Sequence, residues 1–166
     1  FLVPEPTIAQ RIVRAKRTLA DKQVPFEVPR ADELAPRLSS VLEVIYLIFN
    51  EGYSSTVAEA DARAPFAEEA IRLGRLLLRL FPTEPEIMGL AALMLLQHSR
   101  AAARFDSGGQ IVLLDDQDRG LWNRTLIAEG LALIDKAVRH ASPGPYQVQA
   151  AIAALHARAV TPADTD

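Results

Sequence analysis

The sequence predicts an all-α fold, an irregular array of helical hairpins with one small β-hairpin inserted. Three observations carry this. Apolar residues recur at helical spacing from Leu34 onward, prolines fall at helix starts rather than inside strands, and one helix–turn–helix unit occurs twice at a shift of sixty residues. With 49% hydrophobic residues among 166, the chain has ample material for a buried core.

The first helix is expected to open at Thr7, where Gln10 three residues on completes a capping box and Pro4 and Pro6 keep the preceding chain non-helical. At 100° per residue Ile8, Ile12, Ala15 and Leu19 share one stripe. Gln10, Arg14 and Arg17 point the opposite way with Val13 beside them. Residues 1–22 hold five basic side chains against two acidic ones, in a chain whose formal net charge is −3. A basic segment on an acidic protein points to an anionic partner, with a solvated charged face as the plain alternative.

Residues 23–36 read as a proline-rich linker, because Pro25, Pro29 and Pro36 each bias the preceding residue away from helix. Residues 37–166 then form the helical body. Leu38, Val41, Leu42, Ile45, Ile48 and Phe49 give a wide apolar face that Gly52 ends. A helix is expected from Pro65 to Phe81, and another from Thr83-Glu84-Pro85-Glu86 to about Ala102. Ser107-Gly108-Gly109 before a short apolar run predicts the β-hairpin. Asp115 to Asp118 form an acidic start for a helix reaching His140, and Pro143-Gly144-Pro145 separates it from a last one, Tyr146 to Ala159.

The sixty-residue shift lays Glu69 on Glu129, Leu73 on Leu133, Arg79 on Arg139, Pro85 on Pro145, Ala91 on Ala151 and Leu95 on Leu155. Each hairpin alone leaves an apolar face uncovered, so stacking in the manner of a tetratricopeptide solenoid is the natural way to bury it. The spacing departs from the thirty-four-residue tetratricopeptide period, so the array is irregular. The apolar opening "FLVPEP" and the helix-like start "TPADTD" at the far end read as a piece of a longer polypeptide.

No cysteine is present, which excludes disulfides and thiolate metal sites and permits a cytoplasmic location. The longest apolar runs fall far short of the roughly 20 residues of a membrane span. His98, His140 and His156 each lie late in an expected helix, where a cation suits the dipole, and none has a metal-ligand spacing. Asp115, Asp116 and Asp118 lack the glycine and glutamate of a calcium loop and read as caps, with an ion pair from the cluster to Arg119. No phosphate loop or catalytic constellation is present, so the expectation is a non-enzyme without cofactors. Glu51 and Tyr53, after a strongly apolar run, together with Asp118 and Arg119, mark an interaction or ligand surface; for Glu51 and Tyr53 the commoner use is tying helices together at a C-terminal cap. Trp122 is a core anchor.

"VPEPTIAQRIVRAKRTL" resembles the second half of the helix-turn-helix in region four of sigma-70 family factors, above all the extracytoplasmic-function group. That pattern reads Thr, aliphatic, two variable residues, Arg, aliphatic, variable, Arg-Ala, basic, and here runs from Thr7 and Ile8 through Arg11, Ile12 and Arg14-Ala15 to Lys16. "RLSSVLEVIYLIFNEGYSS", "EEAIRLGRLLLRLFPTEPEIMGLAALMLL" and "LLDDQDRGLWNRTLIAEGLALIDKAV" are similar to the long tetratricopeptide-like extension of one subgroup. The resemblance implies a C-terminal part of a transcription-initiating sigma factor whose partners are core RNA polymerase, promoter DNA and a regulatory protein. Residues 1–22 would be the remnant of the DNA reader, with Gln10, Arg11, Val13, Arg14 and Arg17 as its contacts at the minus-35 element. Ala9 stands where many relatives carry a basic or polar residue, so base preference does not transfer. The readings of a different class are a helical scaffold or a small-molecule sensor with no direct DNA role.

Overall fold

The computed structural model describes residues 4–24, 27, 30–53 and 57–165. Phe1 to Val3, Pro25 and Pro29 of the expected linker, and Ser54 and Ser55 lie outside the described residues. The fold is all-α, with six α-helices among the described residues: α1 (Glu5–Asp21), α2 (Ala31–Tyr53), α3 (Val57–Leu80), α4 (Pro85–His98), α5 (Arg124–Ala137) and α6 (Pro145–Arg158). No described helix is long and apolar enough to cross a membrane. The chain divides at Pro36 into two compact units, 1–36 and 37–166.

In the first unit α1 begins two residues before Thr7. Pro4 is its N-cap, and the Thr7 amide donates to the Pro4 carbonyl at 2.9 Å. The expected capping box does not form. Pro6 sits in the first turn, where its missing N–H would have had no helical acceptor and its fixed φ suits the helix. Helix α2 starts at Ala31, inside the stretch read as linker, and continues through Pro36.

In the second unit the repeat is visible as geometry. Helices α4 and α6 occupy 85–98 and 145–158, sixty residues apart from first residue to last, each with proline in its first turn. Helix α3 extends eight residues ahead of Pro65, because the alanine-rich stretch from Val57 propagates helix strongly enough to carry one missing hydrogen bond. Helix α4 is the hub, packed by α3, α5 and α6. It is buried on every side from Ile87 to Leu96, and Phe49, Ile71, Trp122, Ile127 and Ile134 close the core around it.

Glycines set the closest approaches. A β-carbon on Gly89 would lie 2.7 Å from the Gln147 amide nitrogen in α6, and one on Gly130 would lie 2.8 Å from Leu96 Cγ. These helices cross nearly backbone to backbone.

Two local expectations are corrected. The β-hairpin is a single antiparallel bridge between Phe105 and Ile111, and no strand forms among the described residues. Ile111 and Leu113 are each 69% exposed, so a longer ladder has no apolar surface to cover. The Asp106 carboxylate instead accepts from the Gly108 and Gln110 amides at 2.8 and 2.9 Å, and Gly109 takes φ 77° to close the turn. The helix expected from Asp115 begins only at Arg124, where the Asn123 side chain accepts from the Leu126 amide at 3.1 Å. Two short 3-10 turns, Leu114–Asp116 and Arg119–Leu121, precede it.

The start of α6 is held from outside. The Glu86 carboxylate in α4 accepts from the amides of Tyr146 and Gln147, both at 3.1 Å, and from Gln147 Nε2 at 3.0 Å. Gly144 leaves room for it, since a β-carbon there would lie 2.2 Å from Glu86 Cδ. A carboxylate at a helix N-terminus answers both its free amides and its dipole. We expect Glu86→Ala to lower unfolding stability by about 2 kcal/mol and Glu86→Gln by less, read from urea denaturation midpoints.

His98, the last residue of α4, is held below its ordinary pKa by burial, which Glu68 only partly offsets. A histidine depressed in the folded state binds more protons when unfolded, so its contribution is complete above the ordinary value of about 6.5 and is lost as pH falls through the lower folded value. The denaturation midpoint of the native chain should therefore drop as pH falls below about 6.5. His98→Gln should flatten that decline.

Candidate functional site

Every residue implied for DNA contact lies on α1 and is exposed: Gln10, Arg11, Val13, Arg14 and Arg17. At helical spacing they span an arc of about 160°, with Arg14 at its centre between Gln10 and Arg11. The Thr18 hydroxyl donates to the Arg14 carbonyl at 3.0 Å, and Arg17 Nε stands 3.9 Å from Asp21 in a fully solvated pair. Such a pair holds neither side chain in place. A shallow depression runs along Arg11, Arg14, Ala15, Thr18 and Leu19. Ile12 and Leu19 on the apolar stripe are 50% and 56% exposed. The helix thus offers guanidinium groups to a polyanion on one side and a strip for a covering helix on the other.

The Tyr53 cluster is closed rather than receptive. The Tyr53 ring stacks on Phe49 with centroids 5.4 Å apart, and the Arg104 guanidinium covers it at 3.8 Å from the ring centre. Arg100 donates to the Tyr53 hydroxyl at 3.0 Å, and Arg104 donates to the Tyr53 carbonyl. Burial pulls the Arg104 guanidinium below its ordinary pKa, with Tyr53 acting against it. This arrangement ties the end of α2 to the turn after α4. Glu51 is exposed on the last turn of α2.

Asp118 and Arg119 take separate partners. The Asp118 carboxylate caps the Gly120 amide at 2.8 Å. Arg119 is buried and donates from Nη1 to the carbonyls of His156 and Ala159, at 2.7 and 2.8 Å, with its guanidinium over Trp122 at 4.6 Å. The expected ion pair to Arg119 is replaced by a cation on the α6 C-terminus, where free carbonyls and the dipole both favour it. Trp122 is buried in the core as expected. Among the described residues no three His, Asp or Glu side chains are grouped to hold a metal.

Two features escaped sequence reasoning. Arg75 and Glu129 form a two-pronged ion pair at 2.8 and 2.6 Å, fifty-four residues apart, and the Glu129 hydrogen bonds raise the Arg75 pKa. Nothing in their spacing signals it. An apolar groove of about 410 Å³ also runs between α2 and α3, lined by Val41, Val44, Ile48, Leu73, Leu76 and Leu77. Its signal was present: α2 carries apolar residues over more of its circumference than one core contact uses, and Val44 and Leu47 are over half exposed.

Comparison with known proteins adds a family. Over all 166 residues the chain is 61% identical to uncharacterized protein R00370 of Rhizobium meliloti (strain 1021), and it spans 39% of that relative's length. No solved structure matches. A family of unknown function, DUF6596, matches residues 37–138, from the second turn of α2 through the whole of α5. Its match takes in the groove, the Tyr53 clamp, the hub helix and the Arg119 turn, and the chain accordingly belongs to the DUF6596 family.

Proposed function

We propose that the chain is the promoter-reading and regulatory portion of a sigma-70-type transcription initiation factor acting in the cytoplasm with core RNA polymerase. The observation that carries this reading is α1, a helix with Gln10, Arg11, Arg14 and Arg17 exposed on one side and the exposed apolar strip of Ile12 and Leu19 on the other. A recognition helix needs that division, because its outer side chains enter the major groove while the inner ones pack on a preceding helix. Arg14 and Arg17 would reach phosphates or guanine edges, Gln10 a base edge and Val13 a thymine methyl. The second unit would act as a non-catalytic controller, and its α2–α3 groove offers a regulatory protein an apolar seat.

The deciding experiment is run-off transcription with core RNA polymerase and a polypeptide that carries the chain. Promoter-dependent starts are expected, and their absence on every template overturns the reading in favour of a helical scaffold. In the same polypeptide Arg14→Glu should weaken binding to promoter duplex about tenfold and reduce the slope of log affinity against log salt by about one, measured by fluorescence anisotropy. Unchanged affinity would mean that the basic face is only solvated.

A further inference from the structure

The two hairpins superpose in sequence but not in burial. Met88, Ala92 and Leu95 on α4 are fully buried, at 0% exposure, on the side that α5 crosses with Gly130 against Leu96 and the Ala92 carbonyl. Sixty residues on, the same register positions of α6 are Val148, Ile152 and Leu155, and they are 52%, 56% and 46% exposed. The opposite side of α6 is finished: Gln147, Ala150, Ala154 and Ala157 are buried. Helix α6 therefore carries large aliphatic side chains at spacing i, i+4 and i+7 on the face its counterpart uses to receive the next hairpin. Solvent would select polar residues there.

We propose that this face of α6 seats a further helix pair of the same polypeptide, built like α5 and α6, with its first helix crossing Val148, Ile152 and Leu155. The occupant is read from continuity with an interface already present. What α5 does for α4, a helix with a glycine or alanine at the closest approach would do for α6, whose Ile152 stands where α4 has Ala92. A second observation is a capped turn just after α6, Pro162–Asp164. The Thr161 amide and hydroxyl both donate to the Asp164 carboxylate, at 2.8 and 2.7 Å, with Pro162 between them in the first turn. That is a capping box with proline at its first position, carried on a three-residue 3-10 turn just after α6 ends at Arg158, and it is the sequence of donors and acceptors with which a following helix would begin. The chain covers 39% of the Rhizobium meliloti relative, which is therefore the longer polypeptide in which to look for such a pair. The proposal does not depend on the promoter reading.

The chain contains no cysteine, so single thiols can report the face. Ile152→Cys and, as a second position, Val148→Cys would be placed in this chain and at the aligned positions of the full-length relative, with Ser107→Cys as an exposed control. Maleimide labelling would be followed by peptide mass mapping across a concentration series, with light scattering recording the oligomeric state at each concentration. The expected result is labelling at 152 and 148 at least about tenfold slower in the relative than in the chain, with the control equally fast in both. Equal rates in the two proteins overturn the proposal. So does protection in the chain alone that grows with concentration, since a second copy would then be the occupant.

Discussion

Phe49→Ala lowers unfolding stability by about 4 kcal/mol, the largest single loss expected anywhere in the chain. Phe49 has no exposed surface, and its ring is both a core element and the platform on which Tyr53 stacks. Truncation removes a large apolar surface from burial and leaves a cavity that α4, pinned by three helices, cannot collapse to fill. The loss spreads through the stack. Without the lower ring, Tyr53 no longer backs the Arg104 guanidinium, and a half-buried charge loses part of what offsets its desolvation. Thermal unfolding followed by circular dichroism should show Tm falling by about 10 °C. Phe49→Leu, which keeps most of the volume but not the stacking face, should cost about 1.5 kcal/mol. If both variants lost the same amount, the ring stack would matter and the volume would not.

Gly89→Val should cost about 3 kcal/mol by the opposite means, crowding rather than emptying the core. The valine β-carbon would meet Gln147 at its amide nitrogen, 2.7 Å, and its α-carbon, 2.9 Å. These are backbone atoms of α6, held in place by the Glu86 carboxylate, so no side chain can swing aside. The helices must part, and the three Glu86 hydrogen bonds lengthen with them. Gly89→Ala should cost about half as much, because one methyl can be met by a smaller shift. Urea denaturation gives the test. A native-like midpoint for Gly89→Val would mean that α4 and α6 are not in register as described.

The helices of the second unit were legible because periodicity and proline placement are local signals, and the sixty-residue repeat tied α4 to α6 before any contact was known. Boundaries were less legible. Pro65 and Pro36 both read as helix limits, yet each sits inside a helix, since neighbouring alanines, glutamates and leucines outweigh one lost hydrogen bond. Asp115 to Asp118 looked like a helix start because acidic residues favour that place, but Asn123 supplied the cap. Of the candidate site, the tie through Tyr53 was readable from its position after an apolar run. The partners Arg100 and Arg104 were not, being some fifty residues away with no periodic relation to it. Arg119 was singled out for the wrong partner, because carbonyls at the end of a helix leave no trace in a sequence. The Arg75–Glu129 pair was invisible for the same reason.

Helix α6 is fastened at both poles by groups earlier in the chain, Glu86 at its beginning and Arg119 at its finish. With only fourteen residues it would be marginal in isolation. On a translating ribosome both anchors leave the exit tunnel before the segment they hold, so each end of α6 meets its partner as soon as it emerges.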